Sequence, residues 1–157
     1  MFRIILVLWL INKWESEIID VETEFLYGKL EEEIYMGIPE GLKYIEDIKD
    51  DKCCELLMAI YGLVQAARQW WKKCIQTLKT LGFKSSQIDP CLLIRQNELG
   101  TVIFCLYVDD FAWIGDRKAM DNTIKQIAKI YKIKKLGQMK EYIGGTVKII
   151  IMKPNVS

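Results

Sequence analysis

Histidine is absent from this chain, and cysteine and proline are scarce. The 157 residues include no histidine, five cysteines and three prolines. Without histidine, catalytic triads with a histidine base and zinc sites with histidine ligands are excluded. The cysteines are odd in number and no pair has Cys-x-x-Cys spacing, so we predict reduced thiols inside a cell. Any chemistry must therefore come from carboxylates, lysines, hydroxyl groups or a bound metal.

Long apolar runs and an excess of one charge are also lacking. The longest wholly apolar run, residues 4–11, is far shorter than the roughly 20 residues of a membrane helix. Asn12-Lys13-Trp14 follows it and does not resemble the cleavage site of a signal peptide. We therefore predict no membrane contact and no secretion. The net charge is only +1, so binding to nucleic acid requires a local basic face.

The composition and the hydrophobic pattern favour one globular domain over residues 1–157. Hydrophobic residues make up 51% of the chain, which is enough for a core at this length. The apolar spacing predicts helices over 2–14 (buried), 64–81 and after an N-cap at Asp116, and strands over 17–21, 91–95, 101–108 and 141–152. In the helix over 64–81 the predicted inner positions include Trp71, Cys74 and Leu78. This order predicts an α+β fold, an antiparallel sheet with helices packed on one face.

Three aspartates occupy unusual positions in this pattern. Asp109 and Asp110 interrupt an apolar hairpin at its turn, and Asp20 ends the strand over 17–21. If the two strands are neighbours, three carboxylates converge and need protons or divalent cations, and oxygen ligands favour Mg²⁺ or Mn²⁺. The alternative is structural: Asp109 caps the turn, Asp110 is solvated and Asp20 merely ends its strand. The spacing alone leaves both readings open.

Several motifs together resemble the reverse transcriptase of copia-type LTR retrotransposons. They begin with Asp20-Val-Glu-Thr-Glu-Phe-Leu-Tyr-Gly and continue with Tyr61-Gly-Leu-Val-Gln, Asp89-Pro-Cys and Leu106-Tyr-Val-Asp-Asp, in the order and spacing of that family. The resemblance extends from about residue 4 to about residue 150. It implies a polymerase palm truncated at the fingers and thumb, with motif A near 17–28, motif B near 60–82, motif C over 101–114 and motif D near 118–137.

The resemblance also implies an activity and its partners. Intact relatives synthesise DNA on RNA and DNA templates by nucleotidyl transfer with two Mg²⁺ (or Mn²⁺) ions. The implied partners are a template-primer and deoxynucleoside triphosphates, and the implied location is intracellular, in a cytoplasmic particle or the nucleus. Fingers, thumb, ribonuclease H and integrase have no counterpart in this sequence, so we expect the chain alone to be inactive.

The family motifs assign roles to individual residues. The expected catalytic carboxylates are Asp20, Asp109 and Asp110, and the expected metal ligands are these three together with the Val21 carbonyl. The residues expected to contact the nucleotide are Phe25, as a steric gate beneath the sugar, and Tyr61, Gly62 and Gln65. The residues expected at the primer and template are Tyr107, Val108, Tyr142, Ile143 and Gly144. The candidate proton donors for the pyrophosphate are Lys134 and Lys135.

Departures from the family pattern keep two other functions open. Glu24 adds an acid beside the active strand, Ala67 replaces a proline and Val64 a lysine of motif B, and Gly145 replaces an aliphatic residue of the primer-grip turn. Glu55, Leu57 and Met58 stand where the family is rich in lysine. The alternatives are an inactive remnant derived from a retroelement and a small nucleic-acid-binding domain.

Overall fold

The computed structural model describes residues 2–44, 52–107, 110–139, 141–142 and 145–146. The chain divides into two compact units, one formed by Met1–Glu22 with Lys79–Ser157 and the other by Thr23–Leu78. In chain order the helices and strands are α1 (Phe2–Ile11), β1 (Glu15–Val21), β2 (Tyr35–Gly37), β3 (Cys53–Glu55), α2 (Ala66–Thr80), β4 (Lys84–Ser85), β5 (Leu92–Asn97), β6 (Gly100–Tyr107), β7 (Asp110–Gly115), α3 (Arg117–Ile127), β8 (Ile133–Gly137), β9 (Glu141–Tyr142) and β10 (Gly145–Thr146). Two short 3-10 helices cover Glu24–Tyr27 and Glu40–Tyr44.

A six-stranded antiparallel sheet dominates the first unit. Its strand order is β4-β5-β6-β7-β1-β8, so β1 lies between β7 and β8 although these strands are distant from it in sequence. Side chains alternate along β1: Ile19 and Val21 are buried, whereas Ile18 and Asp20 on the other face are only partly buried. The predicted mixed fold with an antiparallel sheet is confirmed.

The helices of this unit lie on both faces of the sheet. Ile5 and Trp9 of α1 pack in a core cluster with Ile103 and Ile114. On the other face, the guanidinium of Arg95 donates to the Gln126 side chain of α3 at 2.7 Å. The prediction that the helices share one face is therefore wrong for α1. An apolar helix can cover a sheet face without a polar side of its own, so its pattern does not indicate which face it takes.

Helix α1 is buried on one side only. Ile5 and Trp9 are 3% exposed, but a second stripe is largely open to solvent and consists of Ile4, Val7, Leu8, Leu10 and Ile11. The predicted buried helix over 2–14 ends at Ile11 and is buried on this one side only, because an apolar composition does not require burial of every side. Among the described residues, no helix is long and apolar enough to cross a membrane.

In the second unit, α2 buries a different stripe from the predicted one. The helix begins at Ala66, and Val64 before it is 99% exposed. Trp70 is 1% exposed, whereas its neighbour Trp71 is only partly buried. Cys74 and Leu78 are buried as predicted. The predicted stripe began outside the helix, so its first members were assigned to the wrong side.

Two residues separate the paired ends of β5 and β6, and two separate those of β6 and β7. Asn97 pairs with Gly100, and Tyr107 pairs with Asp110; the first loop is therefore shorter than the five residues the sequence suggested. Asp116 stands before α3 as predicted but makes no side-chain cap. Its carboxylate instead accepts a hydrogen bond from the Thr101 amide at 2.7 Å, which ties the start of α3 to β6.

Candidate active site

Asp20 lies near the end of a strand whose other face is in the core. Its neighbours Ile19 and Val21 are 0% and 2% exposed. Because side chains alternate along a strand, their burial turns Asp20 toward the opposite, partly open face. The local sequence Ile-Ile-Asp-Val thus anchors the backbone of an acidic residue that is itself not buried.

Asp110 is the direct cross-strand partner of Asp20. It begins β7, and the register of β1 and β7 places the two aspartates opposite each other. Directly paired positions of antiparallel strands lie on the same face, with Cβ atoms about 4.5–5.5 Å apart. On the other side of β7, Asp110 pairs with Tyr107. The predicted neighbours Val108 and Asp109 lie outside the described residues, as do the side-chain positions of Asp110 and Tyr107.

The same row extends to a lysine on the next strand. Asp20 pairs with Lys134 of β8, and Ile19 pairs with Lys135. Tyr107, Asp110, Asp20 and Lys134 therefore stand side by side on four consecutive strands. Two carboxylates supply the oxygen donors that Mg²⁺ or Mn²⁺ prefers. Within the described residues, no group of three or more acidic or cysteine side chains forms a metal cluster.

The residues expected to contact a nucleotide belong to the second unit, and two of them are in contact. The rings of Phe25 and Tyr61 pack edge to face with centroids 4.6 Å apart. Phe25 also packs beside the small core of Leu30, Ala59 and Ala66, so its ring supports this unit whatever else it contacts. Gly62 has a φ of 94°, a conformation that favours glycine.

Sequence reasoning missed a hydrogen bond that fixes Tyr61. Its hydroxyl donates to Glu24 Oε1 at 2.7 Å, and Glu24 is 4% exposed. We had expected Glu24 to add charge near the aspartates; the structure gives its carboxyl a partner in the second unit. The two residues are 37 positions apart, and no periodicity connects them. The last predicted nucleotide contact, Gln65, lies just before α2, where its carbonyl accepts the Gln69 amide at 3.0 Å.

The residues expected at the primer are only partly described. Tyr142 of β9 pairs with Gly145 of β10, so the chain reverses where the turn was predicted. Ile143 and Gly144 lie outside the described residues.

A hollow in the second unit offers further polar groups. Lys29, Lys72, Lys73 and Gln69 line it. Lys72 donates to Glu31 at 2.7 Å, and this bond lowers the pKa of the Glu31 carboxyl. One of the three lysines in the hollow is therefore paired with a carboxylate.

A family model described as "Reverse transcriptase (RNA-dependent DNA polymerase)" matches residues 1–153. The chain belongs to this reverse transcriptase family. The resemblance drawn from the motifs is confirmed.

Relatives of this reverse transcriptase chain are polyproteins of retrotransposons. The "Retrovirus-related Pol polyprotein from transposon TNT 1-94" of Nicotiana tabacum is 37% identical over 132 residues, covering 83% of this chain and 10% of the relative. The corresponding polyprotein from transposon RE1 of Arabidopsis thaliana is 31% identical over 143 residues, covering 90% and 10%. The "Truncated transposon Ty1-A Gag-Pol polyprotein" of Saccharomyces cerevisiae is 28% identical over 131 residues, covering 81% and 10%.

The chain thus spans about a tenth of the length of these relatives. No solved structure gives a significant match.

Proposed function

We propose that this chain is the palm segment of an RNA- and DNA-templated DNA polymerase encoded by a copia-type retrotransposon. The observation that carries the proposal is the direct pairing of Asp20 with Asp110 in a chain of the reverse transcriptase family. Like charges directly opposite each other on a sheet are unfavourable. A pair kept at the end of two strands therefore needs a reason, and cation binding supplies one.

In the proposed mechanism the residues of the protein hold and orient the metal ions. Asp20 and Asp110 would hold Mg²⁺ or Mn²⁺, together with Asp109 and the Val21 carbonyl that the family motif assigns. Two such ions, when bound, would supply activation of the attacking hydroxyl and charge stabilisation for the leaving pyrophosphate. The rigidity of the site comes from the sheet: β1 is paired on both sides, so Asp20 sits on backbone that cannot shift without breaking two ladders.

The remaining roles are proposed from the family motifs and the contacts of each residue. Phe25, held by Tyr61, is proposed to exclude the 2′-hydroxyl of a ribonucleotide. Gly62 and Gln65 are proposed to approach the nucleotide, and Tyr107 the primer end. The partners are a template-primer and deoxynucleoside triphosphates. The five cysteines are free thiols, as in reducing compartments, and we place the activity inside the cell.

The proposal is tested in the polyprotein of a relative, after primer extension by the unaltered parent has been measured. The segment of the tobacco TNT 1-94 polyprotein that aligns with this chain is replaced by this chain, and primer extension is measured on an RNA template with Mg²⁺. We expect extension that is abolished by Asp20→Asn and by Asp110→Asn. Glu15→Gln is the matched control, because Glu15 is an exposed acid on the same strand, opposite Gly115.

The outcomes separate the proposal from its alternatives. Extension that survives Asp20→Asn contradicts the carboxylate site. A chimera that folds but does not extend, beside an active parent polyprotein, identifies the chain as an inactive remnant. Salt-dependent RNA binding by this chain without extension and without a metal requirement favours a nucleic-acid-binding domain.

A further inference from the structure

The acidic pair has a basic residue on its other side. In the sheet, Asp20 is flanked by Asp110 of β7 and by Lys134 of β8. The three positions form one cross-strand row and share a face, because directly paired positions of antiparallel strands do so. Lys134 is exposed, and it forms no ion pair with a described residue. Its ammonium group is therefore free to move along this face.

A second acid–lysine pair follows two residues further on. The Glu22 amide donates to the Lys132 carbonyl at 2.9 Å, and Lys132 Nζ lies 2.6 Å from Glu22 Oε2. The pairing that sets Asp20 against Lys134 thus continues to Glu22 and Lys132. Because strand positions alternate with a period of two, both pairs lie on one face. The closed Glu22–Lys132 contact demonstrates that a lysine on this side of β1 reaches an acid opposite it.

A shift in register selects Lys134 over its neighbour. Ile18 pairs with Gly137, but Ile19 pairs with Lys135 rather than with Leu136. Without this irregularity, Lys135 would stand opposite Asp20, since a slip of one residue exchanges the two faces of a strand. Lys135 instead pairs with Ile19, which is 0% exposed. Lys134 and Lys135 therefore lie on opposite faces of β8, so that Lys135 can serve as the matched control for Lys134.

We propose that Lys134 is the built-in counter-charge of the Asp20–Asp110 pair, neutralising it before a divalent cation binds and giving way when the cation arrives. This rests on the proposed function, since it assumes that the pair binds a metal. The physical reason is Coulombic: an ammonium opposite Asp20, in the same cross-strand row as Asp110, offsets part of the negative charge of the pair and competes with a divalent cation for the Asp20 oxygens. Lys134 is thus a positioning residue that sets metal affinity.

The test uses the chain itself and two readouts besides activity. Mn²⁺ affinity is measured by calorimetry, and the melting temperature is measured in EDTA. Lys134→Met should bind Mn²⁺ about three- to fivefold more tightly, as expected for removal of one charge near 4 Å in a well-solvated site. It should also melt about 2–4 °C lower in EDTA, because the carboxylates lose their partner. Lys134→Arg should resemble the wild type, and Lys135→Met should change neither quantity.

Two further arms exclude a merely structural effect. In an Asp20→Asn background, Lys134→Met should no longer lower the melting temperature in EDTA. At 1 M salt the difference in Mn²⁺ affinity should shrink, since the Debye length falls to about 3 Å. Unchanged Mn²⁺ affinity in Lys134→Met, or equal effects of Lys134→Met and Lys135→Met, overturns the proposal. Mn²⁺ binding that is absent from every variant, the wild type included, overturns the metal site and with it the proposed function.

Discussion

Asp20 and Asp110 are direct cross-strand neighbours although 90 positions separate them in sequence, and each stands at or next to the end of its strand. Such a pair of like charges lowers stability by about 0.2–1 kcal/mol. The cost is confined to the protein without metal, since a bound cation removes the repulsion. Replacing one of the two carboxylates by a neutral side chain is therefore expected to stabilise the fold in the absence of metal.

The first prediction follows from this repulsion. Asp110→Asn should raise the free energy of unfolding in EDTA by about 0.2–1 kcal/mol, because the charge opposite Asp20 is gone. Urea unfolding at pH 7 measures the difference. Saturating Mn²⁺ should stabilise the wild type more than the variant, because a ligand stabilises the state that binds it. Glu15→Gln on the same strand should leave stability unchanged, and a destabilised Asp110→Asn would argue that the aspartate is structural.

The second prediction concerns adjacent tryptophans on α2. Trp70 is 1% exposed and its ring lies 6.1 Å from that of Tyr27, whereas Trp71 is only partly buried. Trp70→Ala should lower the free energy of unfolding by about 3–5 kcal/mol, and Trp71→Ala by clearly less. Urea unfolding of both variants decides the assignment. If Trp70→Ala does not fold, Trp70→Phe and Trp71→Phe are compared instead, and Trp70→Phe should lower the free energy of unfolding more than Trp71→Phe does. A larger loss for the Trp71 variant would contradict the buried face assigned to α2.

These tryptophans illustrate what the sequence could and could not predict. Periodicity predicted α2, α3, β1, β5 and β6, because apolar side chains must be buried wherever an element packs, but β8 was not among the predicted strands. It assigned only the first members of the α2 stripe to the wrong side, since the start of a helix depends on backbone contacts that carry no apolar signal. The spacing of the aspartates left open whether β1 and β7 are neighbours, and the register shows that they are. The irregularity that sets Lys134 rather than Lys135 opposite Asp20 has no counterpart in the sequence pattern.

The third prediction compares two tyrosine–glutamate hydrogen bonds. Tyr61 donates to the buried Glu24 at 2.7 Å, and Tyr35 donates to Glu33 at 3.2 Å on the exposed surface. Tyr61→Phe should cost about 1–3 kcal/mol, because the buried carboxyl loses this donor. Tyr35→Phe should change stability by less than about 0.5 kcal/mol. Equal effects in chemical denaturation would indicate that the Glu24 contact does not hold the second unit together.

The fourth prediction concerns thiol reactivity. Burial raises the pKa of the Cys74 thiol well above its usual range, so the thiolate that reacts with alkylating agents is scarce at pH 8. Cys53 is exposed and should be labelled first. Mass spectrometry after timed iodoacetamide treatment should find Cys74 unmodified until urea unfolds the chain. Labelling of Cys74 at the rate of Cys53 in the native protein would contradict its burial.

The last prediction addresses the sugar. The ring of Phe25 makes two contacts in the second unit: it packs edge to face on Tyr61, and it lies beside the core of Leu30, Ala59 and Ala66. If Phe25 is the steric gate, Phe25→Val in the active chimera should raise the ratio of ribonucleotide to deoxyribonucleotide incorporation, because a smaller side chain admits the 2′-hydroxyl. Leu26→Val is the control, since Leu26 is 44% exposed on the same 3-10 helix. An unchanged ratio together with a lower melting temperature would show that Phe25 serves the core alone, because losing two ring contacts destabilises the unit without altering the choice of sugar.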